Sequence, residues 1–436
     1  MARTVKRYAL VGALSLGSLA SLAGAQEFDW RRFEGTNIRF LMNNHPFTDF
    51  ITPLVPEFEE LTGINVTLES FPEDQFRQRR LLEASSGASS LDGYMIQPGQ
   101  DGAQYLGAGW VRFVDDFVAD STLTNPELDM EDFFEGAIST FETEGGLYGL
   151  PLQIESSVLF YRTDLFEEAG LDGPPETMEE LREYAEALNG PGMAGFAARG
   201  RGANATSQIV NFLYSFGGQW LNDDGTSALD SEASQEALAF YADLLRNYGP
   251  PGVVNMSWPE VTSIFAQNQA AMMFDANVFR SIIEDPAQTL DVVRENVAYA
   301  PLPEGPAGRV PAVLVWGLSV NHASQNPEAS WYFIQWALSK ENQLAALLEG
   351  VPAARPSAWE NEEFQATAPE SWIEASQLHY SIGHGDWNPP VVPVPEVRDA
   401  YGQAIVAALQ GQEVGPALEQ ANREINAILE RSNSAQ

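Results

Sequence analysis

Ile38-Arg-Phe-Leu-Met42 is a short apolar run, and Ile64-Asn-Val-Thr-Leu68 is a second one that follows Gly63. Between them, from about Pro53, Leu54, Val55, Phe58 and Leu61 recur at the spacing of one helix face. Gly63 supplies the stop. Strand, helix and strand in this order predict a β-α-β unit, hence a parallel sheet with a right-handed crossover. Working outward, Thr177-Met-Glu-Glu180 is a capping box that opens a helix with Met178, Leu181, Tyr184, Ala185 and Leu188 on one face before Gly190. Asn326-Pro327 starts another helix carrying Phe333, Ile334 and Ala337, with Pro at its first position. A tail helix buries Leu418, Ala421, Ile425, Ile428 and Leu429, and Asn222-Asp-Asp-Gly225 predicts a hairpin turn. The chain reads as α/β throughout, with no internal repeat and no low-complexity linker.

At roughly 150 residues per domain, 436 residues suffice for two or three domains with real cores. The 44% hydrophobic content makes the chain globular despite a formal charge of −38. A surface this negative repels phosphate backbones and anionic headgroups, which argues against nucleic-acid and peripheral-membrane partners. The absence of cysteine excludes disulfides, thiol nucleophiles, Cys-ligated metal and a lipoprotein anchor. Only Lys6 and Lys340 are lysines; every other basic residue is arginine.

Residues 1–25 read as a cleavable export signal. Met1 to Arg7 is basic, Tyr8 to Leu22 is apolar and rich in small residues, and Ala23-Gly-Ala25 is a small-x-small cleavage site, leaving Gln26 as the mature N-terminus. Losing Arg3, Lys6 and Arg7 makes the mature chain three charges more negative still. No later segment reaches the roughly 18 apolar residues that span a bilayer. The expected location is periplasmic or extracellular.

Signals for catalysis or cofactors are missing. GxSxG, HExxH and GxxxxGK[ST] are absent, and Gly200-Arg-Gly202 lacks the third glycine of a dinucleotide fingerprint. The four histidines, His45, His322, His379 and His384, show no metal-ligand spacing. Asp129-Met-Glu-Asp132-Phe-Phe-Glu135 has phenylalanines where a calcium loop needs ligands, and reads as an acidic start to a helix. No cofactor and no metal are expected.

Leu147-Tyr-Gly-Leu-Pro151-Leu-Gln-Ile-Glu155 leads into Val158-Leu-Phe-Tyr-Arg-Thr-Asp-Leu-Phe166-Glu-Glu-Ala-Gly170 and then Pro174-Pro-Glu-Thr177. That order resembles the sugar-binding solute receptors of bacterial ABC importers, extracellular solute-binding protein family 1, which includes maltose-binding protein. Ala108-Gly-Trp110 to Asp116, Phe216-Gly-Gly218, Phe265 to Phe274 read as a strand, Ala300-Pro-Leu-Pro303, Trp316-Gly317 and Gly350-Val-Pro-Ala-Ala-Arg355 are similar to later blocks of that family in order. The similarity runs over nearly all of residues 37–430. It implies a type II periplasmic-binding-protein fold: two α/β lobes joined by three crossovers, with solute in the cleft. Mapped here, one lobe covers 27–152 plus 316–350 and the other 155–312 plus 355–436.

A hydroxyl-rich ligand needs flat apolar surfaces for its C–H faces and amides or carboxylates for its hydroxyls. Residues just after strand ends and on inter-lobe crossings face the cleft in such folds. This selects Asn43, Asn44 and His45 after the first strand, Gln97, Gln100 and Asp101 after Gly93-Tyr-Met-Ile96, and Gln153 and Glu155 at the first crossing. Placed by similarity to the family's blocks, Asp275 and Asn277 follow the Met272-Met-Phe274 strand, Trp316 lies at the second crossing and Arg355 at the third, where it is either a ligand contact or a salt-bridge hub. Trp387 is a stacking platform in the tail, joined by Trp220 and Trp258, whereas Trp331, Trp336 and Trp372 sit in helical patterns and read as core. The implied function is a monomeric extracytoplasmic receptor, not an enzyme, that hands a sugar, oligosaccharide or polyol to an ABC transporter permease. The alternatives are the same fold binding a polyamine or glycerol phosphate, and a secreted glycan-cleaving enzyme.

Overall fold

The computed structural model describes residues 27–435, and the export signal expected over 1–25 lies outside them. Nine strands are present among the described residues: β1 (Asn37–Asn43), β2 (Asn65–Phe71), β3 (Gly93–Ile96), β4 (Glu142–Thr143), β5 (Gly146–Leu147), β6 (Leu150–Arg162), β7 (Met272–Ala276), β8 (Val297–Ala300) and β9 (Val313–Val320). β1 pairs in parallel with β2, as the opening stretch predicts, and with β3 on its other side. The intervening helix Val55–Thr62 ends at Gly63, whose φ of 71° lets its N–H reach the Glu59 carbonyl. Val55 and Phe58 are buried, but Leu61 is 40% exposed, a departure from the expected apolar face. The helix docks chiefly through Phe58, which lies 5.4 Å from the Phe333 ring and 5.2 Å from Trp336, so the stripe is narrower than the spacing suggests.

The fold has two lobes built on one sheet path, β2-β1-β3-β9-β6-β7, with β8 also on β6. β6 pairs with strands on both sides of this path. Its residues up to Ser156 pair with β9, and those from Ser157 onward pair with β7 and β8. Beyond that point the period of two is plain: Val158 and Phe160 join one core with Met273 and Tyr299, while Leu159 joins the other with Met272, Phe274 and Ala300. The second core is closed by the helices Gly202–Ser215, Glu232–Tyr248, Val394–Leu409 and Val414–Ala435; the last contributes Leu418, Ala421, Ile425, Ile428 and Leu429, all buried as expected.

Local signals translate directly. Thr177 Oγ1 accepts from the Glu180 N–H at 3.2 Å and the Glu180 carboxylate accepts from the Thr177 N–H at 3.3 Å, a reciprocal cap worth about 1 kcal/mol. Trp331 and Trp372 are fully buried and Trp336 partly so. Two expectations need correction. The Phe265–Phe274 block is not one strand: the helix Trp258–Ala266 runs into it, Asn268 turns at φ 58°, and β7 begins only at Met272. Asn222–Gly225 forms a turn, but only the single bridge Leu221–Ser227 flanks it, so no strand hairpin develops.

The three segments that the family resemblance makes the crossings meet at one point. Gln153 stands opposite Trp316 in the β6–β9 ladder and bridges to Ala353 in the segment after Gly350. The ladder shifts register between Pro151 and Gln153, which bends β6 as it leaves one half of the sheet for the other.

Candidate functional site

The C-terminal ends of β1 and β3 supply one wall. Asn43, the last residue of β1, is fully buried, and neither end of its amide has a partner. His45 takes extended backbone ahead of Pro46, which starts the helix Pro46–Ile51. This turns the imidazole inward, 5.7 Å from the Trp316 ring. Asn44 between them is exposed and points away from this wall, a correction that follows from side-chain alternation at a strand end. After β3, Gln97 leads into a π-helical turn over Pro98–Gly102 that buries Gln100 and Asp101. Arg80 reaches Asp101 at 2.7 Å. Arg77 donates to Glu73 and Gln97, each at 2.8 Å, contacts Asp101 at 3.2 Å, and lies 5.3 Å over the Trp316 ring.

The facing wall comes from β6, β7 and the helix Gly202–Ser215. Gln153 donates to Glu155, and Glu155 Oε1 stands 3.3 Å from His45 Nε2. Asp275, within β7 rather than after it, is fully buried; Arg199 Nε donates to it at 3.0 Å and Gln208 Nε2 at 3.0 Å. Trp387 is buried in the tail, with the Arg398 guanidinium 5.2 Å over its ring. Trp258 is stacked on Phe279 at 5.0 Å as the first residue of its helix, and Trp220 is buried against Tyr401.

Two predicted contacts are turned to the fold instead. Arg355 is fully buried and donates to the carbonyls of Leu338, Asp129 and Leu128, with Asp132 at 3.4 Å and the Phe133 ring at 3.8 Å. It is the hub of the two readings, and the acidic run Asp129–Asp132 serves it and Lys340. Asn277 donates to Ser376 Oγ at 2.9 Å and Tyr380 Oη at 2.7 Å and accepts from the Ser156 N–H, so its amide is spent on packing the helix Glu370–Ile382.

Glu73, Asp101 and Asp275 each meet an arginine, whereas Glu155 meets His45 and Arg398 has no bonded carboxylate among the described residues. Burial pushes the Glu73 carboxyl up, but the Arg77 guanidinium, with Arg199 and Arg398 behind it, overrides this and holds the pKa down to about 2. Asp101 is likewise buried yet held below the ordinary carboxylate range by Arg80 and Arg77. Burial opposes the charge of Arg199 too, and Asp275 more than restores it. Sequence reading missed Glu73, Arg77, Arg80, Arg199, Gln208 and Arg398. Glu73 was within reach, because it follows β2 as Gln97 follows β3; Arg199 sits in the loop noticed only for its failed glycine motif.

Among the described residues of the cluster, the Asn43 amide and the Gln153 side-chain oxygen are buried without partners. A hydroxyl both donates and accepts, so it complements such groups and the carboxylate oxygens beside them. Next to the cluster a cavity of about 560 Å3 opens between Glu73, Arg77 and Asp101 on one side and Arg201, Asn204 and Arg398 on the other.

The model of the family described as bacterial extracellular solute-binding protein matches residues 44–344. Among relatives, the erythritol/L-threitol-binding protein of Mycolicibacterium smegmatis is 28% identical over 75% of this chain and 71% of its own length. The mannitol-binding protein of Pseudomonas aeruginosa is 29% identical over 78% and 80%. The crystal structure of an ABC transporter solute-binding protein from Agrobacterium radiobacter in complex with ribitol superposes with a TM-score of 0.83 at 27% identity, covering 91% of this chain and 99% of that one. With the family's match spanning most of the chain and its fold reproduced in both lobes, this protein belongs to the bacterial extracellular solute-binding proteins.

Proposed function

We propose that the chain is the extracytoplasmic receptor of an ABC importer, capturing a polyol or small sugar between its lobes and delivering it to the permease. The observation that carries this is the buried polar cluster around Gln153 and Glu155, with the partnerless Asn43 amide and Gln153 side-chain oxygen and the Trp316 ring beside them. A polyamine would need a cage of carboxylates without cations, such as Asp101, Glu155 and Asp275; Asp101 and Asp275 each face an arginine, as Glu73 does, which leaves only Glu155, beside His45. A phosphate would need free guanidinium donors, and those of Arg77 and Arg199 are turned to carboxylates. Similarity to polyol-binding relatives supports the same ligand class.

In this reading Asn43, His45, Gln97, Gln100, Asp101, Gln153, Glu155, Asp275, Trp316 and Trp387 line the ligand, joined by Glu73, Arg77 and Arg199. The lobes are 27–152 plus 316–350 and 155–312 plus 355–436, with residues 1–25 removed on export and the mature chain acting as a monomer without covalent chemistry. A ligand touching both walls stabilises the closed arrangement over the open one, and the permease reads that shape. Mass spectrometry of ligand released from the purified protein, followed by calorimetry with erythritol, ribitol, mannitol and maltose, tests the reading. Saturable binding with a tryptophan fluorescence change and no product is expected; new reducing ends from oligosaccharides would overturn it in favour of an enzyme.

A further inference from the structure

At the mouth of the cleft two arginines reach across, and they differ in kind. Arg201 pairs with Asp74 at 3.2 Å, but the two side chains are 40% and 59% exposed, so water and salt screen the contact. Arg398, on the helix Val394–Leu409, is only 5% exposed. Its Nε donates to Thr206 Oγ1 at 2.7 Å and one Nη to the Ala203 carbonyl at 2.8 Å, both in its own lobe. The other Nη donates to Gln100 Oε1 in the π-helical turn of the opposite lobe. Trp387, beneath the guanidinium, fits edge-on against the same turn: a Cβ at Gly99 would stand 3.0 Å from its Nε1.

Among the described residues no carboxylate is bonded to Arg398, and burial, reinforced by Arg77, pushes its pKa down to about 10. A guanidinium stripped of water without a counter-ion is tolerated only where every neighbour is in place. Gln100 is a neighbour only when the lobes are together. We propose that Arg398, stacked on Trp387 and donating to Gln100, is a latch that holds the two lobes closed and so sets how slowly ligand leaves. It is a positioning residue, acting through the turn Pro98–Gly102 and not on the ligand, and the inference rests on the receptor reading above.

The test is stopped-flow binding of ribitol together with inter-lobe distances from labels at Gln78→Cys and Gln412→Cys, both exposed positions in a chain without native cysteine. Arg398→Met keeps the stem over Trp387 and removes the donors. Ribitol is expected to leave at least about tenfold faster, with association within about twofold of the native rate. Gly99→Leu leaves Arg398 intact and wedges the turn away from Trp387, so the short, closed distance is expected to be lost. If Arg398→Met fails to fold, Gly99→Leu decides. Dissociation within about twofold of native in the first variant, or native closure in the second, overturns the latch. A native chain that binds no ribitol, mannitol or erythritol sinks the polyol reading instead. The ligand-free distance distribution then decides on the latch: a shift toward the open distance in these variants supports it, and an unchanged distribution overturns it.

Discussion

Glu155 Oε1 lies 3.3 Å from His45 Nε2, joining β6 to the turn that follows β1. Gln153 Nε2 donates to the same carboxylate and stands 3.5 Å from His45 Nδ1, so three side chains form one polar unit beside Trp316. A hydrogen bond from a ligand hydroxyl to a carboxylate is worth about 1.5–3 kcal/mol. Glu155→Gln is therefore expected to weaken binding of the native ligand by about 10- to 100-fold, and Trp316→Ala to weaken it similarly, without unfolding either variant. Calorimetry beside thermal melts checks this; unchanged affinity in both would move the site elsewhere.

Arg355 should behave in the opposite way. Its donors satisfy three carbonyls and Asp132 inside the core. Arg355→Met takes away the donor to the Leu338 and Leu128 carbonyls and weakens the bonding of the Asp129 carbonyl and Asp132, at an expected cost of about 3–5 kcal/mol. The urea midpoint should fall at constant slope while the folded fraction keeps native affinity. A large affinity loss with stability intact would return Arg355 to the ligand.

His379 sets a pH dependence. Burial, with Arg309 adding to it, pushes its pKa down to about 3, and its Nε2 accepts from the Leu302 N–H at 3.0 Å. The unfolded chain takes up a proton on this ring below about pH 6.5, while the folded chain does so only near 3. Its contribution is therefore complete above pH 6.5 and is lost progressively as pH falls toward 3. His379→Gln is expected to be less stable at pH 7 but to show a shallower decline between pH 6.5 and 4 in urea titrations. Parallel curves for the two proteins would contradict this.

The net charge of −38 predicts a salt response. Adding NaCl shortens the Debye length from about 10 Å at 0.1 M to about 3 Å at 1 M, which relieves self-repulsion among surface carboxylates. The melting temperature should rise over that range in a calorimetric scan. A flat or falling trend would leave the acidic excess as a matter of composition rather than of adaptation to salt.

The fold was largely legible in the sequence because its signals are short-range. Gly63 at positive φ, the Thr177–Glu180 cap and the period of the tail helix each act over a few residues and survive into the structure. Leu61 failed because helical spacing shows that a face exists, not how wide the neighbour covering it is. Glu155, Gln153 and Trp316 were singled out because they lie beside distinctive strings, and the structure brings them together next to His45.

By itself, then, the sequence determined the α/β class, the β-α-β opening, the strand ends where polar residues would gather, and an interior held by packing without cysteine. Only the tertiary structure decided which charges meet. Asp275 and Arg199 are 76 positions apart, and Arg77 finds Asp101 from 24 away. Among 61 acidic residues no local pattern singles out those partners. It likewise turned Arg355 and Asn277 into the core and left Arg398 spanning the cleft. An arginine or an asparagine beside a strand or turn reads the same whichever way it points; long-range packing, by choosing which carbonyls and carboxylates surround it, makes it a prop, a ligand contact or a latch.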